Sequence, residues 1–295
     1  MKALASGQFP GAQRRRIGDI VVTALADGYF DIASQALQGA TEADLAPISA
    51  PPFATGEAYR SSINAFLVES GGMRILIDAG GAQSGVESLG RLGPTLAAIG
   101  VTPESVDALV MTHLHPDHGG GAFDENGAAA FGRAQMILHA KEHAYWDDDS
   151  LVTDGNRVYF DLARKAAAAY SGDGRMTLFD SDGEVMPGVF AEFLPGHTPG
   201  HTGYRIESGG DALLIWGDIV HIPPVQLTRP GVGIAFDVDI VQAEATRRAV
   251  LERAASDSLK VAGMHMPWPG FGHVERDGQG YRFISAPFDY EPGTP

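Results

Sequence analysis

The chain has 295 residues, of which 44% are hydrophobic, so it can bury one large core or two smaller ones. It contains no run near the roughly 20 apolar residues that span a bilayer and no apolar stretch typical of a secretory signal, so we expect a soluble protein, cytoplasmic unless a removed signal peptide made it periplasmic. The absence of cysteine excludes disulfides and thiolate metal sites, and the formal charge of −16 disfavours nucleic acids and anionic membranes as partners.

Strand patterns dominate the first third of the chain. Residues 20–28 (IVVTALADG), 63–70 (INAFLVES) and 73–80 (MRILIDAG) are typical of strands, and the Gly71-Gly72 pair predicts a hairpin turn between the last two. Residues 94–100 (PTLAAIG) predict a short helix, because proline favours a helix start and glycine a helix stop.

The second half has the same outline. Three strand patterns separated by glycine-rich turns lie within residues 188–218, and residues 239–256 carry a helical pattern opened by Asp239. Strands followed by a helix, twice over, predict two packed sheets with helices outside. Residues 29–60 and 145–175 are less regular and predict a mixture of loop and helix.

Segment 111–120 (MTHLHPDHGG) concentrates groups that bind metal. It holds three histidines and one aspartate within six positions, namely His113, His115, Asp117 and His118. The apolar run 106–111 predicts a strand that continues into the motif, which would place His113 and His115 on one face. Pro116 would end the strand, and the turn after it would bring the other two ligands back. This set suits a metal such as zinc, whereas a metal-free cluster of unpaired polar groups is the costlier alternative.

Three later segments offer further ligands just after apolar runs. LPGHTPGH carries His197 and His201 in a tight turn, LLIWGD carries Asp218, and VAGMHMPW carries His265. Asp218 has an ordinary alternative, because a carboxylate at such a position can also cap a helix or hold a turn. Together with the first cluster, these residues predict a site for two metal ions.

The motif set as a whole resembles the metallo-β-lactamase superfamily. The run HxHxDH is followed downstream by the other residues of the set, in the order His197, Asp218 and His265. The resemblance extends over about residues 17–275 and implies a four-layer αβ/βα sandwich. It also implies a single domain over residues 1–295, with residues 1–16 as a loose N-terminal arm, and a homodimer as the assembly.

The same resemblance implies two divalent metal ions, with zinc as first choice and cobalt, manganese or iron as alternatives. One ion would be bound by His113, His115 and His197. The other would be bound by Asp117, His118 and His265. The carboxylate of Asp218 would bridge the two ions.

Further residues receive roles from the resemblance. Asp78, in the DAG at 78–80, resembles the superfamily's first motif, whose aspartate orients a ligand. A turn-forming aspartate before Ala-Gly is an equally weighted alternative. His201 would support the turn that carries His197. We expect the remaining histidines to be surface or core residues, namely His139, His143 and His273.

The implied metal centre predicts hydrolysis. A water molecule shared by two cations has a pKa near neutrality and provides the nucleophile, and the ions polarise the C=O or P=O bond under attack. Asp117 and Asp218 are the predicted catalytic residues, Asp117 because it can pass a proton to the leaving group. The sequence has no nucleotide-binding signature, which agrees with hydrolysis.

Segments 17–31, 216–227 and 233–239 resemble the branch that contains methyl parathion hydrolase and its lactonase relatives. This resemblance implies a small-molecule substrate, either a lactone or ester or an aryl phosphotriester, and a pocket rich in aromatic residues. Trp146 and Phe160 could line that pocket, although single aromatic residues are more often part of the core.

Several alternatives stay open. His221 stands three positions after Asp218, where acyl-homoserine-lactone lactonases commonly carry a tyrosine. Such a lactonase is therefore an alternative rather than the first choice, and His221 becomes a candidate group beside the ligands or the substrate. A mononuclear iron sulfur dioxygenase can keep the HxHxDH run, whereas a flavodiiron oxidase is disfavoured because those proteins place glutamate where this chain has His115. Hydrolysis of β-lactams or glyoxalase-type thioesters, and binding without catalysis, are further alternatives.

Overall fold

The computed structural model describes residues 11–49, 58–172 and 174–290. Within these ranges the chain forms two seven-stranded sheets and one two-stranded pair. The strands are β1 (Ala12–Ile17), β2 (Ile20–Ala33), β3 (Leu37–Gln38), β4 (Ala58–Ser70), β5 (Met73–Ile77), β6 (Ala108–Val110), β7 (Gln135–His139), β8 (Met176–Phe179), β9 (Gly183–Met186), β10 (Val189–Phe193), β11 (Thr202–Ser208), β12 (Asp211–Ile215), β13 (Gly233–Ile234), β14 (Lys260–Ala262), β15 (Phe271–Asp277) and β16 (Gly280–Ser285). The helices are α1 (Glu42–Ser49), α2 (Leu92–Ala98), α3 (Pro116–Gly119), α4 (Ala140–Asp147), α5 (Arg157–Ser171), α6 (Pro223–Gln226) and α7 (Ile240–Ser256).

The two large sheets are built differently. The first has the strand order β1-β2-β4-β5-β6-β7-β8, antiparallel from β1 to β5 and parallel from β5 to β8. The second has the order β16-β15-β14-β12-β11-β10-β9, in which β12 and β14 are parallel and the other described neighbours antiparallel. The small pair joins β3 to β13.

Alternating side chains along β4 explain how the layers pack. Phe66 and Val68 point into the core between the two sheets, where the Phe66 and Phe271 ring centroids lie 5.6 Å apart. Ala65 and Leu67 point to the opposite face, into the core beneath α2 and α5. A third core lies between the second sheet and α7. The order of layers is helix, sheet, sheet, helix, which confirms the predicted αβ/βα sandwich.

Two local predictions are confirmed. Gly71 and Gly72 have φ angles of 58° and 78°, and they join the antiparallel strands β4 and β5. Such positive φ angles cost glycine little, which is why this pair marks the turn in the sequence. Asp239 caps α7, because its Oδ1 accepts a hydrogen bond from the Gln242 backbone N–H at 2.9 Å.

The loose arm predicted for residues 1–16 is wrong for residues 12–16. Residues 12–16 belong to β1, which pairs with β2 in antiparallel register, with Arg15 opposite Val22. The three consecutive arginines hide this strand in the sequence, but an edge strand is held by its main chain and tolerates charged side chains. Residues 1–10 lie outside the described residues.

The irregular stretches also differ from prediction. Strands β2 and β4 extend into the segment 29–60, because they pair with each other from Val21–Glu69 to Ala33–Ala58, past an irregularity at Ala26/Gly28. Segment 145–175 is mixed, as predicted, and its main element is α5.

The loops that carry the candidate ligands leave the ends of strands in both sheets. Asp78 follows β5 and the HxHxDH run follows β6 in the first sheet, whereas His197, Asp218 and His265 follow β10, β12 and β14 in the second. These loops meet at one edge of the sandwich. Across the described ranges, no helix has both the length and the apolar character needed to cross a membrane.

Candidate metal centre

The HxHxDH segment leaves the sheet earlier than its sequence predicts. Strand β6 ends at Val110, so His113 and His115 lie in a loop and the predicted strand geometry is wrong for them. The chain turns away because Thr112 donates two hydrogen bonds to Asp78, from its backbone N–H to Oδ1 at 2.8 Å and from its hydroxyl to Oδ2 at 2.7 Å. Pro116 then opens the single turn of α3, which brings the next two polar side chains back toward the loop.

Three imidazole nitrogens converge in the first donor group. His115 Nδ1 lies 3.1 Å from His113 Nε2 and 2.9 Å from His197 Nε2. All three rings are at least partly buried, although His197 is 82 residues from His115 in the chain. The structure thus brings together the three residues that the sequence assigns to one ion.

Asp117, His118 and His265 form the second donor group. Asp117 Oδ2 lies 3.4 Å from His118 Nε2 and 3.6 Å from His265 Nε2. The Asp117 side chain retains 26% exposure, whereas the two rings are buried. The partly exposed carboxylate therefore stands at the accessible side of this group.

Asp218 lies between the two donor groups. Its Oδ2 is 3.3 Å from His197 Nε2 and 3.6 Å from His113 Nε2, both in the first group. The same oxygen is 3.2 Å from His118 Nε2 and 2.9 Å from His265 Nε2, both in the second. A carboxylate in this position can contact cations in both groups at once.

Unpartnered buried atoms show that a cation fits here. Within the described part of the chain, neither His118 Nε2 nor Asp218 Oδ1 has a hydrogen-bond partner, although both atoms are buried. Unsatisfied buried polar groups are costly unless an ion or hydrogen bond compensates them. Nitrogen and oxygen donors in this mixture suit zinc and other divalent transition metals. The cluster is compatible with a dinuclear metal site.

Protonation states also favour cations. Burial and the neighbouring His118 hold the pKa of His113 well below its usual value, and burial and His197 do the same for His115, so both rings are neutral and able to bind a metal. Burial opposes charge on Asp218, but His118, His265 and His113 hold the pKa of its carboxyl well below the usual range. Two donor histidines are exceptions: nearby carboxylates raise the pKa of His118 and of His197 despite burial, so both rings would release a proton when a cation binds.

Several of the donor histidines also have a partner at the ring nitrogen that points away from the site. His118 Nδ1 donates to Asp78 Oδ2 at 2.7 Å, and His265 Nδ1 lies 3.2 Å from the Ser62 carbonyl. His113 Nδ1 lies 3.0 Å from the Thr112 hydroxyl oxygen. Such partners fix the tautomer and leave the opposite nitrogen free for a metal. Asp78 therefore contacts the ring of one predicted ligand, and its role in orienting that ligand stays a prediction.

Sequence reasoning missed the partner of His197. Asp237 Oδ1 accepts from His197 Nδ1 at 2.9 Å, and its Oδ2 accepts from the buried Arg247 guanidinium at 3.3 Å. Burial opposes these charges, yet hydrogen bonds with Asp218 and Asp237 raise the pKa of His197 to about 9, and His197 lowers the pKa of Asp237 to about 2. The signal was an aspartate inside the otherwise apolar run GIAFDV.

Glu142 is a second residue that the sequence did not reveal. It lies on α4 with no exposed surface, although the surrounding sequence AKEHAYW resembles a solvated helix face. Burial raises the pKa of Glu142, and hydrogen bonds from Thr198, Trp146, Leu114 and Gly200 oppose that shift. A buried carboxylate that accepts this many hydrogen bonds holds neighbouring segments together and is not a surface charge.

The remaining histidines fall into three cases. His201 uses both ring nitrogens, because Nδ1 donates to the Leu194 carbonyl at 2.7 Å and Nε2 accepts from the Asp218 backbone N–H at 2.9 Å. His201 therefore stabilises the turn after His197 and has no ring nitrogen left to bind a metal. His221 Nε2 lies 3.1 Å from Asp218 Oδ2, and its buried Nδ1 has no partner among the described residues. Outside the converging donor groups of the described chain lie His139, His143 and His273.

A cavity of about 700 Å³ opens directly onto both donor groups. Trp146 and Phe160 line it, with ring centroids 4.9 Å apart, and Trp146 lies 5.5 Å from the His115 ring. Phe30 and Phe236 lie among the other lining residues. Neither lysine nor arginine lines this cavity within the described ranges.

Known proteins resemble this chain in sequence and in structure. Residues 58–265 match the family model described as the metallo-beta-lactamase superfamily. N-acyl homoserine lactonases from Bacillus sp and Bacillus cereus are 27% and 28% identical over 180 and 125 residues, which is 54% and 42% of this chain. The matches span 64% and 42% of those two relatives, so this chain covers less than two thirds of either.

Two solved structures have the same fold over nearly the whole chain. The hydrolase AbOPH, described as a member of the beta lactamase superfamily, is 30% identical with a TM-score of 0.88, over 96% of this chain and 100% of that one. AidC, a dizinc quorum-quenching lactonase, is 24% identical with a TM-score of 0.87, over 95% of this chain and 99% of that one. The family match covers more than half of the sequence, and the chain belongs to the metallo-β-lactamase superfamily.

Proposed function

We propose that the chain is a metal-dependent hydrolase of uncharged aryl lactones and aryl esters. The observation that carries this proposal is the cavity over the donor groups, which is lined mainly by aromatic and aliphatic side chains and, in the described ranges, by no lysine or arginine. A substrate that binds there finds apolar contacts around it and cation-binding groups at one end. That combination suits a neutral molecule with one polar, electrophilic centre.

Two divalent ions, with zinc as first choice, would be held by the residues described above. One ion would be held by His113, His115 and His197, and the other by Asp117, His118 and His265. Asp218 would contact both ions. Bound there, the ions supply a water molecule of lowered pKa and an electrophile for the substrate carbonyl oxygen. The sequence and the geometry favour this same assignment.

Asp117 is suited to move the proton. Hydrolysis of a lactone joins the water oxygen to the carbonyl carbon, breaks the ring C–O bond and requires a proton on the departing alkoxide. The Asp117 carboxylate lines the cavity and is the partly exposed member of its donor group. It can take the proton from the nucleophile and deliver it to the leaving oxygen. Asp218, by contrast, is buried, and its role would be to bind the metal ions of both donor groups.

The charged side chains that line the cavity help to rank the alternative substrates. β-Lactam antibiotics, glutathione thioesters and glutathione persulfide carry carboxylates, and cationic side chains usually pair with such groups. Because no lysine or arginine lines the described cavity, we place these substrates below neutral esters. The aromatic pair Trp146 and Phe160 favours an aryl leaving group, so a dimethyl aryl phosphotriester is the second candidate substrate. The lactonase relatives support an acyl-homoserine lactone as the third.

The first experiment is proton release by the zinc-loaded protein with three substrates side by side: an aryl lactone, an acyl-homoserine lactone and a dimethyl aryl phosphotriester. Preference for the aryl lactone supports the proposal, and preference for either of the others assigns the site to that substrate instead. Silence on all three, combined with oxygen uptake on a persulfide by the iron-loaded protein, would replace hydrolysis by dioxygenase chemistry.

A further inference from the structure

Glu142 accepts four hydrogen bonds in the interior of the protein. Its Oε1 accepts from the Leu114 backbone N–H at 2.9 Å and from the Trp146 indole N–H at 2.6 Å. Its Oε2 accepts from the Thr198 hydroxyl at 2.5 Å and from the Gly200 backbone N–H at 3.2 Å. The Leu114 and Gly200 N–H groups and the Trp146 indole can only donate, and they reach both oxygens, so the residue here must accept on both.

The donors belong to three separate functional parts. Leu114 lies between His113 and His115, so its backbone N–H fixes the loop that carries two nitrogens of the first donor group. Thr198 and Gly200 follow His197, which supplies the third nitrogen. Trp146 is part of the aromatic wall of the cavity.

The close approach of α4 to the turn after His197 is a second, independent observation. A Cβ on Gly200 would lie 2.1 Å from the Glu142 backbone nitrogen and 2.5 Å from its Cα. Only glycine fits at that distance. The turn is therefore packed directly against the helix that carries both Glu142 and Trp146.

We propose that Glu142 is a positioning residue that couples the aromatic wall of the cavity to the three histidines of the first donor group. Through Glu142, the position of Trp146 is fixed relative to the metal-binding histidines, so a substrate that packs against Trp146 is aligned with the reacting centre. Glu142 itself lies behind these parts and contacts no substrate. This inference rests on the proposed function, because it assumes that His113, His115 and His197 hold one of the metal ions.

The direct test is Glu142→Gln, measured by zinc competition with a chromogenic chelator. An amide must turn its NH₂ group toward one side, so it breaks either the Leu114 and Trp146 bonds or the Gly200 bond, since the Thr198 hydroxyl can accept instead. We expect one of the two stepwise zinc affinities to fall about 10- to 100-fold and the other to stay at the wild-type value. Two unchanged affinities would overturn the proposal.

A coupling measurement separates this role from general destabilisation and remains available if Glu142→Gln does not fold. Trp146→Phe removes one of the two hydrogen bonds to Oε1, and Thr198→Val removes one of the two hydrogen bonds to Oε2. If Glu142 couples the two sides, the effects of these variants on the first-group zinc affinity are non-additive. Additive effects would overturn the coupling. Thr95→Val is the matched control, because that buried hydroxyl bonds only the Ala26 carbonyl among its described partners, and its zinc affinities should equal the wild-type values.

Substrate selectivity provides the readout that links the wall to the centre. In Trp146→Phe, KM should rise more for an aryl lactone than for a small alkyl lactone, because only the aryl group reaches the wall. Equal shifts for both lactones would contradict the link. The zinc measurements need no substrate. If the wild-type protein binds two zinc ions but hydrolyses neither lactone, the proposed function is wrong, and the zinc affinities of the variants still test the role of Glu142.

Discussion

Removal of the Asp237 carboxylate tests how far His197 depends on its buried partner. In Asp237→Ala, His197 loses the acceptor of its Nδ1–H, and Arg247 loses its charged partner at 3.3 Å. Loss of such a partner typically weakens metal binding about 10- to 100-fold, which corresponds to about 1.4–2.8 kcal/mol. The loss should fall on the ion held by the first donor group alone, because Asp237 contacts no residue of the second.

The same variant should destabilise the fold. Breaking a buried ion pair costs about 3–5 kcal/mol when the remaining charge is stranded. Arg247 keeps three carbonyl acceptors, those of Ile219, Pro230 and Val232, so we expect a loss near 3 kcal/mol, at the lower end of that range. Asp237→Asn retains an acceptor for His197 and should lose less on both measurements.

Chelator competition and urea unfolding together measure these effects. Asp239→Ala is the matched control, since Asp239 lies two residues away and caps α7 without touching the donor groups. It should lose about 1 kcal/mol of unfolding free energy and no zinc affinity. Wild-type affinity for both zinc ions in Asp237→Ala would refute the reasoning, and so would an equal loss at both sites.

Three further variants probe the rest of the site. Asp78→Ala should weaken zinc binding at the second donor group about 10- to 100-fold, because His118 loses its partner, and intact stepwise affinities would contradict this. Asp218→Ala should lose bound metal and hydrolysis together, and full turnover in that variant would exclude the dinuclear mechanism. His201→Ala should lower the unfolding free energy by about 1–3 kcal/mol while both zinc ions stay bound, and loss of one zinc ion would show that His201 is a ligand.

The superfamily and the layer order can be predicted from the sequence, because the patterns that indicate them lie within short segments of the chain. Gly71-Gly72 marks a hairpin by its backbone freedom, and Asp239 marks a helix start by its capping oxygen. The recognition of the superfamily and the αβ/βα sandwich are confirmed. The expected donors converge in space, whereas their binding of metal stays a prediction.

What the sequence could not reveal depends on distant contacts. Strand β6 ends where Thr112 bonds Asp78, 34 residues earlier in the chain, so no local pattern marks that end. Asp237 and Glu142 likewise take their roles from partners 40 and 28 residues away. Strand β1 was hidden because its arginines pair through the main chain, which carries no side-chain signal.

The donor groups also connect the two halves of the fold. The first sheet contributes the HxHxDH loop, and the second contributes His197, Asp218 and His265. A cation bound between them therefore acts as a cross-link from one sheet to the other, and its binding free energy adds to the free energy of unfolding. At a free zinc concentration of 100 times Kd, one such ion contributes about 2.7 kcal/mol. The thermal unfolding temperature should consequently fall when a chelator is added, and this edge of the sandwich should be the first part to exchange its amide hydrogens.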